Sequence, residues 1–293
     1  IIALAAGVVA RPLAVVWSRW RLAGALICAS GLLVVFWQVS GAELTRRATV
    51  AADAGVAQVA EWTGHSDAAA ARWRAALRAM PDLSEPHLRL AQLAATRGDR
   101  DGALAEINTA LDRDPDNYRA RAIGVRLLRD SGEQDAARKL AAGGWAAAPD
   151  GLAWAWDYFH DAPTTSLALD GADSGFVRGF YGPERGEGGR TFRWMGEQGE
   201  LRLASPDGGA HTLALTLASP RPPGQPLDVT VSVNGRTIGQ VTVRRELGWN
   251  DVHLPLPSDL TGPLTVELRA PTTALPGDRR TFGVAVAAAS VER

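Results

Sequence analysis

At 293 residues the chain is long enough for two or three domains, each with its own core. A net charge of -1 excludes a nucleic-acid binder of the usual kind, which needs a basic stripe to neutralise phosphates. Cys28 is the only cysteine, which excludes an intrachain disulfide framework and a cysteine metal site. The positive charge is almost all arginine, Lys139 being the one lysine; with the many alanines, this reads as genome composition.

Ile1 to Ala10 is uninterrupted apolar sequence, without an initiating Met or the charged opening of a secretory signal. It reads as the end of an upstream membrane span in a fragment, with the basic loop Arg11 to Arg21 completing residues 1–21. Leu22 to Val39 is an apolar run of 18 residues, which would rise about 27 Å as a helix against a hydrocarbon core of about 30 Å. A transmembrane helix is therefore expected over 22–40, with Arg19 and Arg21 snorkelling at one end and Trp37 in the interface at the other. The alternative is a buried core helix, for which Gln38 and the modest length of the run argue. Three arginines in the loop stand against Arg46 and Arg47 beyond the run, so the positive-inside rule places the loop in the cytoplasm. The expected location is a bacterial inner membrane, with residues after about 40 periplasmic and the lipid bilayer as one partner.

From about Val50 an internal repeat appears. Gly64, Gly98 and Gly132 are spaced by 34, as are Ala69, Ala103 and Ala137, and the Pro-Asp pairs at Pro81, Pro115 and Pro149. Ala76 and Ala110 share the register with Gly144, and Ala57 and Ala91 with Val125. Small residues let antiparallel helices approach closely, glycine turns the chain between them, and proline ends the second helix. The pattern resembles the tetratricopeptide repeat, whose period is 34 residues. Three hairpins are expected over 50–151 (50–83, 84–117 and 118–151), the best copy being Ser84 to Asn117. His87 replaces the usual first-helix aromatic, and Gly143-Gly144 loosens the third copy. Such an array is either a spacer docked on its own neighbour or a groove for a protein partner.

Residues 152–165 read as an aromatic linker whose Trp154, Trp156, Tyr158 and Phe159 wedge the last helix against the next domain; a carbohydrate-stacking platform is the alternative. From Ser166 the period becomes two. HTLALTLA (211–218), LDVTVSV (227–233) followed by the turn Asn234-Gly235, TIGQVTV (237–243), DVHLPL (251–256), PLTVELR (263–269) and TFGVAVAAASVE (281–292) alternate. FVRGFY (176–181), TFRWM (191–195) and ELRLA (200–204) fit the same scheme. Residues 166–293 are thus expected to form an antiparallel β-sandwich of jelly-roll type, so the fold class is multi-domain, α then β.

His65, His87, His160, His211 and His253 are scattered, and no pair has a metal-ligand spacing. Motifs for a nucleophile elbow, a phosphate loop or a dinucleotide loop are absent from the sequence. Asp157 and Asp161 flank His160 in what reads as a solvated loop, and Gly182 to Arg190 carries too few ligands for calcium. No catalytic residue, metal or cofactor is expected. Tyr181, Glu184, Arg193, Trp194, Trp249 and Asn250 are candidate glycan contacts, since sugar sites pair flat rings with carboxylate, amide or guanidinium groups. Packing of the two tryptophans in the core or at its rim is the competing reading.

The run GFYGPERGEGGRTFRWMGEQGELRLASP, then VSVNGRTIG, LGWNDVHLPLP and RRTFGVAVAAASVE resemble the C-terminal β-sandwich of bacterial polyprenol-phosphate-dependent glycosyltransferases. The resemblance covers about residues 166–293 and implies a glycan or lipid-linked sugar as partner. In that family the catalytic acid lies in an early loop of the membrane domain, which has no counterpart here. The order of membrane helix and repeats also resembles the tail of O-antigen ligase and polymerase proteins. The expected function is the extracytoplasmic C-terminal region of a multi-span cell-envelope glycosyltransferase, its repeats a scaffold and its sandwich a glycan or partner contact. The alternative is a non-enzymatic, membrane-anchored repeat scaffold that recruits protein partners in envelope assembly.

Overall fold

The computed structural model describes residues 41–144, 148–205 and 211–293. The chain divides into two compact units, Ile1–Asp82 and Leu83–Arg293. The membrane helix expected over 22–40 and the loop before it lie outside the described residues. Among the described residues no helix is long and apolar enough to cross a membrane. Helix α1 (41–62), the nearest to that segment, carries Glu43, Arg46, Arg47, Asp53 and Glu61, charges that a hydrocarbon core would not accept. The inner-membrane location with a periplasmic remainder is corrected accordingly.

In the first unit α1 is followed by α2 (Ser66–Ala79). Trp73 on α2 is buried and donates its indole N–H to the Glu61 carboxylate at 2.6 Å, while Arg72 reaches Asp53 at 3.2 Å. The second unit opens with two further hairpins, α3 (Ser84–Thr96) with α4 (Arg100–Arg113) and α5 (Tyr118–Asp130) with α6 (Gln134–Ala142). The physical basis of the 34-residue register is visible in each. Gly64, Gly98 and Gly132 turn the chain at φ +76°, +76° and +84°, a left-handed conformation that disfavours any side chain. Ala69, Ala103 and Ala137 are fully buried where the helices touch. Asp99 and Asn117 cap α4 and α5, each accepting a backbone N–H three residues on.

The third copy departs from the pattern for a definable reason. A Cβ on Gly144, which replaces the alanine of the other copies, would fall on the Arg121 side chain. Arg121 lies in that space and donates to the Leu140 carbonyl at 2.8 Å and the Pro115 carbonyl at 2.6 Å. Burial there lowers its pKa.

Helix α7 (Ala148–Tyr158) takes up the first half of the aromatic segment, with Trp154, Trp156 and Tyr158. The starts of α3 and α5, Ser84 and Tyr118, are one repeat apart, and a further step falls at Leu152 within α7. Thus α7 occupies the place of the first helix of another repeat, but among the described residues no partner helix follows; the β-domain covers it instead. Leu152 enters the core of the sheet, whereas Ala155 and Phe159 enter the core formed by α3, α4 and α5. Solenoid ends need such a cap, because an open last repeat exposes its apolar face.

Among the described residues eleven strands follow: β1 (Ser166–Ala168), β2 (Val177–Arg185), β3 (Thr191–Ala204), β4 (Thr212–Ala218), β5 (Leu227–Val233), β6 (Arg236–Val243), β7 (Asn250–Pro255), β8 (Pro263–Arg269), β9 (Thr273–Ala274), β10 (Thr281–Phe282) and β11 (Ala285–Glu292). Nine form one antiparallel sheet in the order β6-β5-β8-β3-β11-β4-β7, with β1 on β11 and β2 on β3; β9 and β10 pair separately. The sheet curls so that its end strands approach, and a Cβ on Gly239 of β6 would lie 3.0 Å from Leu254 of β7. The expected antiparallel β-domain is thus present, its strands joined in a single, nearly closed sheet. TFRWM and ELRLA, read as separate strands, are one long β3, whose first residues pair with β11 and whose last pair with β8. Period-two alternation sends Leu213, Leu215 and Leu217, Val229, Val231 and Val233, and Leu264, Val266 and Leu268 inward, all essentially buried.

Arginines join helices to sheet. Arg126 and Arg129 both grip Asp161, at 2.6 and 2.7 Å, and Arg129 also donates to the Ser174 carbonyl at 2.7 Å. Arg138 on α6 meets Asp170 at 2.5 Å. Arg202 of β3 lies 3.8 Å over the Trp156 ring and donates to the Trp156 carbonyl at 2.8 Å. Its pKa is lowered first by burial and then by neighbouring Arg178.

Candidate functional site

The outward side of β11, β4 and β7 is built from small and polar residues in register. Ala288 pairs with Thr216, and Thr216 with Asp251; Ser290 pairs with Ala214, and Ala214 with His253. Because successive residues alternate, Phe192 and Trp194 of β3 also face outward, while Arg193 between them faces in. Phe192 packs on Ala285, Ala287, Ala218 and Trp249. With Phe282 and Tyr181 these rings form a row in the order Trp249, Phe192, Trp194, Phe282, Tyr181. Neighbouring centroids are 5.4, 5.6, 5.3 and 5.9 Å apart, all edge to face. Phe192 and Phe282 are buried, whereas Trp249, Trp194 and Tyr181 keep part of their surface in solvent.

An arginine caps each end of the row. Arg280 stacks 4.7 Å from the Phe282 centroid and 5.3 Å from that of Tyr181, and is paired with Glu184 at 2.6 Å and Asp278 at 2.7 Å. At the other end Arg190 lies 5.3 Å from the Trp249 centroid. Beside it an open trough of about 530 Å³ is lined by Gly188, Gly189, Arg190, Thr191, Thr216, Asp251, Ala287 and Ala288. A second groove of about 390 Å³ runs between α6 and β2, bordered by Arg138, Lys139, Glu184 and Arg185. A third space, between helices and sheet, measures only about 40 Å³, room for a water or two.

The six sequence candidates separate into two groups. Tyr181, Glu184, Trp194 and Trp249 lie on the ring row or at its capped end. Arg193 and Asn250 do not. The Arg193 guanidinium is buried and holds Asp173 through two bonds of 2.7 and 2.6 Å, with a third to the Tyr181 carbonyl at 2.8 Å. Asn250 is also buried and closes the loop before β7, accepting from the Arg244 N–H at 3.1 Å and donating to the Arg244 carbonyl at 3.0 Å and the Gly248 carbonyl at 3.2 Å. Both side chains, expected as glycan contacts, are engaged in holding the fold. Sequence reasoning missed Phe192, Phe282, Arg190 and Arg280. The shared parity of Phe192 and Trp194 was a usable signal; the approach of Phe282 from residues far along the chain was not. Among the described residues no cluster of three or more His, Cys, Asp or Glu could hold a metal.

One acid response follows from this geometry. The pKa of Asp278 is drawn down to about 2, first by the guanidinium of Arg280 and then by its backbone N–H. The folded value lies below the unfolded one of about 3.9, so its contribution is complete above that pH and is lost as pH falls towards 2. NMR spectra should show the β9–β10 hairpin resonances shifting with a midpoint near 2; a midpoint near the unfolded value would mean that the contact to Arg280 is not formed.

No family model matches the chain, and no curated protein matches it. Solved structures similar to it include the TPR2B domain of yeast Sti1 in a pHsp70 complex, with 14% identity, 35% of this chain and 82% of that one covered, and a TM-score of 0.33. Pseudomonas aeruginosa pilF shows 22% identity over 35% of this chain and 45% of its own, with a TM-score of 0.30. A family 35 carbohydrate binding module from Clostridium thermocellum shows 14% identity over 43% of this chain and 96% of its own, with a TM-score of 0.31. Likenesses this distant carry no weight for function, and the tetratricopeptide-like character of the helices rests on their own period and hairpin geometry.

Proposed function

We propose that residues 166–293 form a jelly-roll-like glycan-contacting domain, held by the helical repeats, in the non-catalytic C-terminal region of a glycosyltransferase. The observation that carries this reading is the row of five rings, three of them part-exposed, ending at Arg190, which stacks on Trp249 and lines a trough floored by alanine and threonine. Flat rings suit the apolar faces of sugars, small floor residues leave room for them, and Thr216 with Asp251 supplies partners for hydroxyl groups. Within the unit Leu83–Arg293, the hairpins α3–α6 present the domain in one orientation, since α7 belongs to both cores. Titration of the full chain with neutral and acidic oligosaccharides, followed by tryptophan fluorescence, tests this. Trp249→Ala should weaken binding about tenfold or more, the effect of losing an aromatic contact of about 1.4 kcal/mol or above. Trp154→Ala, on the helical side, should leave affinity unchanged. Equal affinities for wild type and Trp249→Ala would exclude the ring row as the site.

A second reading has its own observation. Val56, Val59 and Trp62 recur on one side of α1 and are exposed, Trp62 at 93%. Apolar residues at that spacing suit a protein partner recruited by the repeats without enzymatic activity. A stoichiometric protein lost on Trp62→Ser, with no glycan response from the sheet, would favour it.

A further inference from the structure

The two ends of the ring row differ in charge. At the Tyr181 end Arg280 is neutralised by Glu184 and Asp278. At the Trp249 end Arg190 is exposed, stacks on the indole, and has no carboxylate partner among the described residues. Its position is not accidental to the backbone. Arg190 follows the glycines of a tight β2–β3 connection, in which the Gly186 N–H donates to the Arg190 carbonyl at 2.9 Å and the Gly189 N–H to the Gly186 carbonyl at 3.1 Å. Gly188 and Gly189 border the trough without side chains to fill it.

We infer that the glycan on this face carries an acidic substituent, and that Arg190 is the residue that reads it; this rests on the glycan reading above. A guanidinium pairs bidentately with a carboxylate or a phosphate, and one already stacked on an indole has lost part of its side-chain freedom before binding. Among the described residues Asp251 is the one carboxylate lining the trough, and it already accepts the Thr216 hydroxyl at 2.9 Å. It therefore repels an acid at its own side and accepts a sugar hydroxyl there, which orients the acidic group towards Arg190. The shared ligand chemistry is an anionic oxygen pair on a sugar, either a uronate carboxylate or a phosphate ester.

Three trisaccharide probes of equal length separate the outcomes on the full chain: trigalacturonate, its methyl ester, and a phosphorylated neutral trisaccharide. The free acid should bind about two- to fivefold more tightly than the ester, as expected for one exposed ion pair. The preference should shrink in high salt, vanish in Arg190→Gln and partly return in Arg190→Lys. Tighter binding of the phosphorylated probe than of trigalacturonate would assign the anion as phosphate, the reverse order as carboxylate. Equal binding of acid and ester, or a preference that survives Arg190→Gln, overturns the inference while leaving the glycan site standing. Failure of all three probes to bind overturns both.

Discussion

Replacing Asp173 by alanine is expected to destabilise the unit Leu83–Arg293 by about 3–5 kcal/mol. The side chains of Arg193 and Asp173 are 2% and 0% exposed, so the pair is fully withdrawn from water. Asp173 accepts from two guanidinium nitrogens, and without it only the Tyr181 carbonyl remains to Arg193. Breaking such a pair leaves a buried charge uncompensated, which costs more than the pair itself contributes. The double variant Asp173→Leu with Arg193→Met should accordingly recover most of the loss, because no charge is then left behind. Urea denaturation followed by circular dichroism gives both values, and the double-mutant cycle gives their coupling. A loss below 1 kcal/mol for Asp173→Ala would mean that water reaches the guanidinium, which the burial of both side chains opposes.

The same residue shows where the sequence was legible and where it was not. The alternation in TFRWM places Arg193 opposite Phe192 and Trp194, but alternation alone does not say which side meets the core. Arginine between aromatics suggested a sugar contact; the deciding fact, Asp173 on the helix-facing side, is a contact that no local spacing encodes. The helical repeats were legible because their constraint recurs, the same turn glycine and the same buried alanine at each step. Most strands were legible because one face of each is apolar. The continuity of β3 was not legible, because Gly196 and Gly199 interrupt the alternation between TFRWM and ELRLA. A side chain on Gly199 would in fact press on Phe180, so the glycine records close packing instead. Likewise Thr281 and Phe282 look like the start of β11, yet they pair with Thr273 and Ala274. That hairpin carries Phe282 to the ring row and Arg280 to Glu184, joining residues nearly a hundred positions apart.

The second large effect is expected at Phe159, where the helices and the sheet meet. Its side chain is 2% exposed and packs in the core of α3, α4 and α5, under the Arg126 guanidinium at 4.8 Å from the ring centroid. On its other side it touches the chain entering β2, since a Cβ on Gly175 would stand 3.1 Å from the ring. Phe159→Ala should therefore cost about 3–5 kcal/mol, the usual range for removing a buried aromatic. The more telling consequence concerns cooperativity. With Leu152 in the sheet core and Phe159 in the helical core, α7 makes the two cores depend on one another, so wild-type helices and sheet should unfold together. In Phe159→Ala the helices lose their anchor while Leu152 still holds α7 to the sheet, and the transition should split. Hydrogen exchange measures this directly: amides of α3–α5 should exchange earlier than those of β4, β5 and β8 in the variant, and at matching free energies in the wild type. Unequal protection already present in the wild type would show that α7 links two independent folding units, and the repeats would then serve as a tether for the sheet instead of a rigid mount.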